Sequence, residues 1–446
     1  MLKLKKTSSL LLFLGFIGIS IAMEGMDDTS EYARPNITNG GSKTFHWLSS
    51  MFFLLILSSI STTLAFADKL HSAFILQIVS LFYAVVEALF LSFPDGNGVE
   101  NRTSTGTAWF LLILSGITVF FATLNSGSNF LIASNENRFG LKWIAKLGEN
   151  SLKNIHKTLS FILTLTGWCK VALAPVSLFG FCRDDHLGQC IAHGVMGSFF
   201  ILYGFVYAMV LVLSRFRDSS NNHQQDWYDS LIMTVWGVVN TFTEHRWGED
   251  WSNKDFQHTS MGIIWWGGGL LGLWFTRNGG RSWIPAMLLM FTGWSMSEHA
   301  QELIISTKIH FIFGLSLMIG GLCRIIEMSF LLRDERNAGS GKILSFQYLS
   351  SFFLIEAGVL FMGANEEQLE LVLSFGSDHV AYTLTLTTAS FLILLWFLLL
   401  LELYEKLRDG ISLKGAQNNS SKYEHVSSNE NEYSPSTEFE LDNFEE

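Results

Sequence analysis

Four histidines lie at equivalent places near the starts of long apolar stretches in the second half of the chain. Each is followed four residues later by glycine or threonine, in His193-Gly194-Val195-Met196-Gly197, His258-Thr259-Ser260-Met261-Gly262, His310-Phe311-Ile312-Phe313-Gly314 and His379-Val380-Ala381-Tyr382-Thr383. Residues four apart share one face of a helix. The small residue therefore allows a neighbouring helix to approach closely, and the imidazole points into the same contact.

Acidic residues accompany these histidines at the ends of the intervening apolar stretches. They are Glu244 beside His245, Glu298 beside His299, and the pair Glu366 and Glu367 ahead of the fourth histidine. The pattern predicts helical hairpins that repeat in one orientation, with their polar groups at one surface of a membrane.

This arrangement predicts a shared metal or haem site. Imidazole and carboxylate are suitable ligands for zinc, copper or iron, and two facing histidines can hold the iron of haem b. The predicted ligands are His193, His245, His258, His299, His310, His379, Glu244 and Glu298. The alternative is that these histidines only cap helices or bind lipid headgroups. No residue is assigned a catalytic role.

Five charged residues fall inside apolar stretches, where charges are expensive and usually face the protein interior. They are Glu87, Lys170, Arg324, Glu327 and Glu356. Arg324 and Glu327 are three residues apart on one helix and can form an ion pair. If these charges line a path for a substrate or for protons, they indicate a transporter, which is the second hypothesis for function. A metal-dependent membrane hydrolase with a zinc-bound water is the third.

A second set of histidines suggests two layers of haem ligands, one near each surface of the membrane. His46 and His193 begin stretches at one surface of the membrane, and His71 and His156 begin stretches at the other. Two stacked haems that carry electrons across the bilayer would need such an arrangement. This reading is an alternative to the single cluster.

The composition places these residues in a membrane. Of 446 residues, 49% are apolar and only 15% are charged, whereas a soluble chain usually carries about 25% charged residues. The net charge of −11 excludes a nucleic-acid partner, because binding to nucleic acid requires a basic surface. The chain is therefore expected to have the lipid bilayer as its main partner.

The apolar stretches predict an all-α, polytopic integral membrane helix bundle with about eleven transmembrane helices, since about 20 apolar residues span the hydrocarbon core. They cover residues 46–67, 72–93, 107–124, 155–176, 191–213, 229–245, 260–276, 283–299, 309–331, 343–363 and 380–403. The predicted divisions are a signal peptide (1–22), a lumenal segment (23–45), a three-helix membrane domain (46–124), a cytosolic linker (125–154), an eight-helix membrane domain of repeated hairpins (155–405) and a disordered acidic cytosolic tail (406–446).

The orientation follows from targeting signals and loop charge. A basic start followed by an apolar run and Ser20-Ile21-Ala22 is typical of a secretory signal, with an uncleaved signal anchor as the alternative. Lysine and arginine concentrate in the loops assigned to the cytosol. The predicted glycosylation sites Asn36 and Asn101 both fall on the lumenal side. A protein of the endoplasmic reticulum, vacuole or plasma membrane is expected, with a lumenal N-terminus and a cytosolic C-terminus.

Two further features concern the lumenal loop and the tail. Cys182 and Cys190 bracket a lumenal loop, an oxidising setting that favours a disulfide; a metal site with His186 between them is the alternative. In the tail, Tyr423-Glu424-His425-Val426 has the form of a sorting signal, which predicts binding of sorting adaptors.

Several of these segments resemble the fungal Ytp-one-like membrane proteins. The resemblance rests on the signal peptide, the His46-started N-terminal helices, Ala192-His193-Gly194-Val195-Met196-Gly197, and the block from Thr243-Glu244-His245-Arg246-Trp247 to Gln257-His258. It extends over most of residues 40–405. That family has no characterised activity and a loose likeness to cytochrome-b membrane proteins. The resemblance therefore implies a membrane location and a helical architecture, and leaves the activity open.

Overall fold

The structure is a computed structural model. It describes residues 39–93, 102–126, 148–182, 186–213, 224–245, 248, 250–299, 301, 303–331 and 343–423. Within these ranges the chain is helical and contains no β-strand, which confirms the all-α membrane fold. The predictions for the signal peptide, Asn36, Asn101, most of the 125–154 linker and the end of the tail lie outside the described residues.

The first four helices form one bundle. They are α1 (Gly40–Phe66), α2 (Leu70–Phe90), α3 (Arg102–Ser126) and α4 (Glu149–Phe179). Helix α4 packs against α1 and α3, around a core that includes Leu54, Leu111 and Leu163. The polar linker that precedes this helix predicts that it belongs with the C-terminal set. The close contact of Gly167 with the backbone of Leu54 brings α4 against α1.

The second bundle contains the remaining helices. They are α5 (Leu187–Val212), α6 (Gln225–Thr243), α7 (Asn253–Thr276), α8 (Ile284–Ser297), α9 (Ile304–Leu331), α10 (Tyr348–Met362), α11 (Glu366–Ser374) and α12 (His379–Tyr423). Its core includes Phe200, Leu288, Phe313 and Leu360. Helix α12 also reaches the first bundle, where the Trp396 indole N–H donates to Ser59 Oγ.

Helices lie at all eleven predicted positions, but fewer are clear membrane spans. In the part of the chain that the structure describes, eight helices are long and apolar enough to cross a membrane. Helices α6, α7 and α8 are too short or not apolar enough to be counted among these eight. Helix α8 has only 14 residues, and α7 contains the polar segment Asn253–His258 and several glycines. The count of eleven spans is therefore not confirmed.

Glycines join the helices of the second bundle in pairs. The glycine that follows each of the first three histidines by four residues lies against the backbone of a partner helix, in the pairs Gly197 with Gly358, Gly262 with Gly237, and Gly314 with Gly293. The partners are α5 with α10, α6 with α7, and α8 with α9. Two of these pairs are the hairpins that the repeat predicts. The third is formed by α5 and α10, which are distant in sequence.

Enlarging one of these glycines should destabilise the protein strongly. A Cβ atom at Gly197 would lie 2.7 Å from the Gly358 carbonyl oxygen, so we expect Gly197→Leu to lower the free energy of unfolding by about 1–3 kcal/mol or more. Gly194 lies on the same helix with nothing within 4 Å of its Cβ position, which makes Gly194→Leu the matched control. Thermal unfolding in detergent measures both. Equal stability of the two variants would contradict the close contact of α5 with α10.

Candidate functional site

The second bundle contains a partly open cavity near the N-terminal ends of α5, α7 and α9, lined by both polar and apolar side chains. Its volume is about 280 Å³, and four histidines line it: His193, His258, His299 and His310. We call it the histidine cavity. Glu244, Lys254 and three amide side chains (Gln189, Asn240 and Gln301) also line it, together with Met196, Met261 and Met296 and the aromatic rings of Phe200, Trp236, Trp265, Phe313 and Phe361.

Two of the histidines lie deep in the bundle. His193 is 7% exposed and His310 is 3% exposed, and their ring centroids are 5.7 Å apart. The helices begin at Leu187 and Ile304, several residues earlier than the apolar pattern predicts. Both rings therefore lie well over one helical turn inside their helices instead of at the ends.

A hydrogen bond fixes the tautomer of His310. Its Nδ1 lies 2.9 Å from the backbone oxygen of Ser306. A carbonyl oxygen can only accept, so Nδ1 must carry the proton. In the neutral ring, Nε2 then holds the lone pair that could bind a metal.

His258 has the same arrangement at the start of α7. The local fold is set by Ser252, whose Oγ accepts from the Asp255 backbone N–H, while the Asp255 carboxylate accepts from the Ser252 N–H. This capping box fixes the start of the helix. One turn later, His258 Nδ1 donates to Glu244 Oε2 at 3.0 Å, and in the neutral ring Nε2 then holds the lone pair.

His299 also donates a hydrogen bond from Nδ1 to an oxygen. Its Nδ1 lies 2.6 Å from Gln257 Oε1, and the Gln257 amide nitrogen donates to the Ser295 carbonyl at 2.8 Å. Since the amide nitrogen is engaged there, its oxygen faces His299 and accepts. The His258 and His299 rings are 5.2 Å apart and nearly parallel.

Burial keeps His299 neutral. Burial, followed by the charges that His258 and His310 can carry, lowers the pKa of His299 to about 4 from its ordinary 6.5. Because this pKa is lowered on folding, the neutral ring stabilises the fold fully above about pH 6.5, and this contribution is lost as the pH falls toward 4.

Acid should therefore destabilise the protein through His299. We expect a loss of up to about 3 kcal/mol between pH 6.5 and pH 4, measured by thermal unfolding in detergent. His299→Gln should remove this component, and His245→Gln should keep it. A pH profile that does not differ between the wild type and His299→Gln would contradict the assignment.

Not all predicted site residues reach the cavity. His245 stacks on Trp251 with centroids 4.1 Å apart and contacts Asp255. His379 is partly exposed at the start of α12. Neither histidine, nor Glu298, Glu366 or Glu367, is among the described residues that line the cavity.

The intramembrane charges fall into three separate places. Glu87 is fully buried, 2.9 Å from His46 Nε2 and 3.8 Å from Lys170 Nζ. Arg324 binds Glu327 at 2.8 Å, as its spacing predicts, and also Asp226 at 3.3 Å. Glu356 has hydroxyl partners instead.

The two-layer haem reading gains no support from the first bundle. His46 Nε2 binds Glu87, and the fully buried His156 binds Gln77 Oε1 through Nε2 at 2.9 Å. These contacts occupy the nitrogens that a haem iron would need.

Cys182 and Cys190 form a disulfide. The Cys182 N–H donates to Glu367 Oε2, so the disulfide is tied to the start of α11. Two joined sulfurs leave no thiolate for the alternative metal site with His186.

The sequence pattern did not indicate Lys254 or the three methionines of the cavity, nor Gln257, which binds His299 without lining the cavity itself. Gln257 lies beside His258 in the sequence, and that adjacency is the signal that could have indicated a partner for a histidine. Met196 and Met261 each follow a histidine of the repeat by three residues, and that spacing could have indicated them. Lys254 and Met296 carry no such spacing.

Comparison with known proteins identifies relatives among membrane proteins. Residues 166–405 match the family described as "Protein YTP1-like, C-terminal". Protein YTP1 of Saccharomyces cerevisiae is 54% identical over 424 residues, which covers 94% of this chain and 89% of that protein. An uncharacterized membrane protein of Schizosaccharomyces pombe, C3B8.06, is 24% identical over 48% of this chain and 51% of its own length. The uncharacterized membrane protein YCR061W of S. cerevisiae is 28% identical over 32% of this chain and 27% of its own length. No solved structure matches the chain.

Proposed function

We propose that this chain, which belongs to the YTP1-like family of membrane proteins, binds a transition-metal ion in the histidine cavity. One observation carries the proposal: His258, His299 and His310 each donate Nδ1–H to a carboxylate, amide or backbone oxygen. Histidines that bind metals almost always have such a partner, because it fixes the tautomer and orients the ring.

The fourth histidine completes the donor set. His193 Nδ1 is buried and has no hydrogen-bond partner, and such buried atoms in native proteins need an explanation. Its ring lies beside His310, so a metal bound between the rings would supply the missing partner. Zinc, copper and iron all accept imidazole ligands.

The spacing of the rings favours an ion over a haem. A cavity of about 280 Å³ is at or below the lower end of the range for ligand pockets, about 300–1,000 Å³. The His258 and His299 rings stack instead of pointing at each other across a gap. The four rings form two close pairs, so binding of one ion requires side-chain rotation that draws the pairs together.

Metal analysis of the detergent-purified full chain tests the proposal. Equilibrium dialysis against zinc, followed by elemental analysis, should give about one bound ion per chain that survives exchange into metal-free buffer. A protein that retains no zinc, copper, iron or other transition metal would refute the proposed function.

Transport of the bound ion is the second candidate. The observation in its favour is that the same helices carry buried charges at their other ends, where Asp226, Arg324 and Glu327 meet. Intramembrane charges are typical of ion and proton pathways. Uptake of zinc by vesicles that contain the purified protein distinguishes transport from binding alone.

We also propose a lumenal position for the histidine cavity, in a membrane of the secretory system. Glycosylation at Asn36 and Asn101 would follow, because both sequons then face the lumen. Removal of N-glycans should increase gel mobility, and the double variant Asn36→Gln with Asn101→Gln should abolish that change. Asn418→Gln, in the predicted cytosolic tail, is the control. A glycan on Asn418 would contradict this orientation.

A further inference from the structure

Glu356 is a buried acid without a charged partner. It lies in the middle of α10 and is 7% exposed. Its Oε2 accepts a hydrogen bond from Ser316 Oγ of α9 at 3.1 Å, and its Oε1 accepts one from Thr387 Oγ1 of α12 at 2.8 Å. Three helices therefore meet at this carboxyl group through two hydroxyls.

The charged groups of α9 lie elsewhere. Arg324 is eight residues from Ser316, about 12 Å along the helix axis, and it binds Glu327 and Asp226. His310 is six residues away on the other side, about 9 Å, and faces the histidine cavity.

The titratable groups of the other packed elements are also engaged or distant. On α5, His193 faces the cavity, and the hydroxyls of Tyr203 and Tyr207 lie 3.3 Å apart. On α12, the Tyr382 hydroxyl donates to the Gly363 carbonyl, and His379 begins the helix, eight residues before Thr387. No described lysine, arginine or histidine lies within 4 Å of the Glu356 carboxyl group.

The other two predicted intramembrane acids differ in this respect. Glu87 has Lys170 and His46 beside it, and Glu327 has Arg324. Each therefore has a cation that stabilises its ionised form. An ionised carboxylate buried without a cation carries a penalty of several kcal/mol, and in such a place the group neutralises instead.

We propose that Glu356 is a proton-binding site within the membrane-spanning part of the protein and holds its proton at neutral pH. A hydroxyl can donate or accept. When Glu356 is protonated, one of the two hydroxyls reverses and accepts the carboxyl proton, while the other still donates to the second carboxyl oxygen. Loss of the proton places a charge between α9, α10 and α12. Release of the proton therefore requires these helices to separate or to admit water.

Infrared spectroscopy of the purified full chain in D2O at neutral pH tests this proposal. We expect a carbonyl band of a protonated carboxylic acid in the wild type that is lost in Glu356→Gln, which keeps the shape and the hydroxyl contacts. Glu402→Gln changes an exposed acid paired with Lys406 and should leave the band unchanged. A spectrum without any difference between wild type and Glu356→Gln would overturn the proposal.

A second variant covers the case in which Glu356→Gln does not fold. Thr387→Val removes one hydroxyl partner and should shift the frequency of the same band, while an unshifted band would overturn the assignment. The result is independent of metal binding. A chain that binds no metal can still show the band, and a metal-binding chain can lack it.

Discussion

Loss of metal binding is the expected result of replacing His258 and His310 together by alanine. The two residues belong to different ring pairs of the histidine cavity, so the double variant leaves each pair with one imidazole. Changes to the outer-shell partners of metal ligands alone cost about 10–100-fold in affinity. Removal of two ligands should therefore lower the affinity for zinc by more than about 100-fold, measured by competition with a zinc chelator.

The chain supplies a matched control for this experiment. His245 and His379 are histidines of the same repeat pattern, but they lie outside the cavity. The double variant His245→Ala with His379→Ala should bind zinc as the wild type does. If it loses zinc while the cavity variant keeps it, the cavity is not the site.

Replacement of Arg324 by leucine should cause the largest loss of stability. Arg324 is 9% exposed and binds the carboxylates of Asp226 and Glu327, which are 3% and 4% exposed. The variant leaves two buried acids without their bound cation, while the electrostatic influence of Arg281 on both remains. Removal of one partner from a buried ion pair costs about 3–5 kcal/mol.

Thermal unfolding in detergent measures this loss of stability. Two further variants test whether the loss comes from the buried acids that Arg324 leaves unpaired. Lys406→Met breaks an exposed ion pair with Glu402 and should change stability by less than about 1 kcal/mol. The triple variant with leucine at Asp226, Arg324 and Glu327 removes all three charges and should be more stable than Arg324→Leu alone. A single variant as stable as the wild type would contradict the buried charge network.

The repeat of histidine and glycine predicted close helix contacts, and these contacts are present at Gly197, Gly262 and Gly314. The spacing carries this information because a glycine one turn after the histidine shares its face. The identity of the partner was not predictable in every case. Helix α5 packs against α10, and no sequence pattern within either segment indicates a contact between residues so far apart in the chain.

The predicted ligand set included two histidines that lie outside the cavity. Helix α6 ends at Thr243, so Glu244 and His245 lie in the turn that follows it. Glu244 reaches the cavity there, while His245 stacks on Trp251. His379 begins α12, where threonine replaces the glycine of the other repeats.

The charge network shows another limit of sequence reasoning. The three-residue spacing of Arg324 and Glu327 predicted their ion pair. Asp226 stands at the polar start of α6, a place typical of a solvent-exposed helix end. Its burial depends on the long-range approach of α9, which the sequence pattern does not encode.

X-ray absorption at the zinc edge of the metal-loaded, detergent-purified chain tests the central claim most directly. Binding by the clustered rings predicts nitrogen or oxygen neighbours at about 2.0–2.1 Å with the outer-shell scattering of several imidazoles, and loss of that scattering in the His258→Ala, His310→Ala variant. A zinc ion surrounded by water or carboxylate oxygens alone, or an imidazole signal unchanged in that variant, would contradict it.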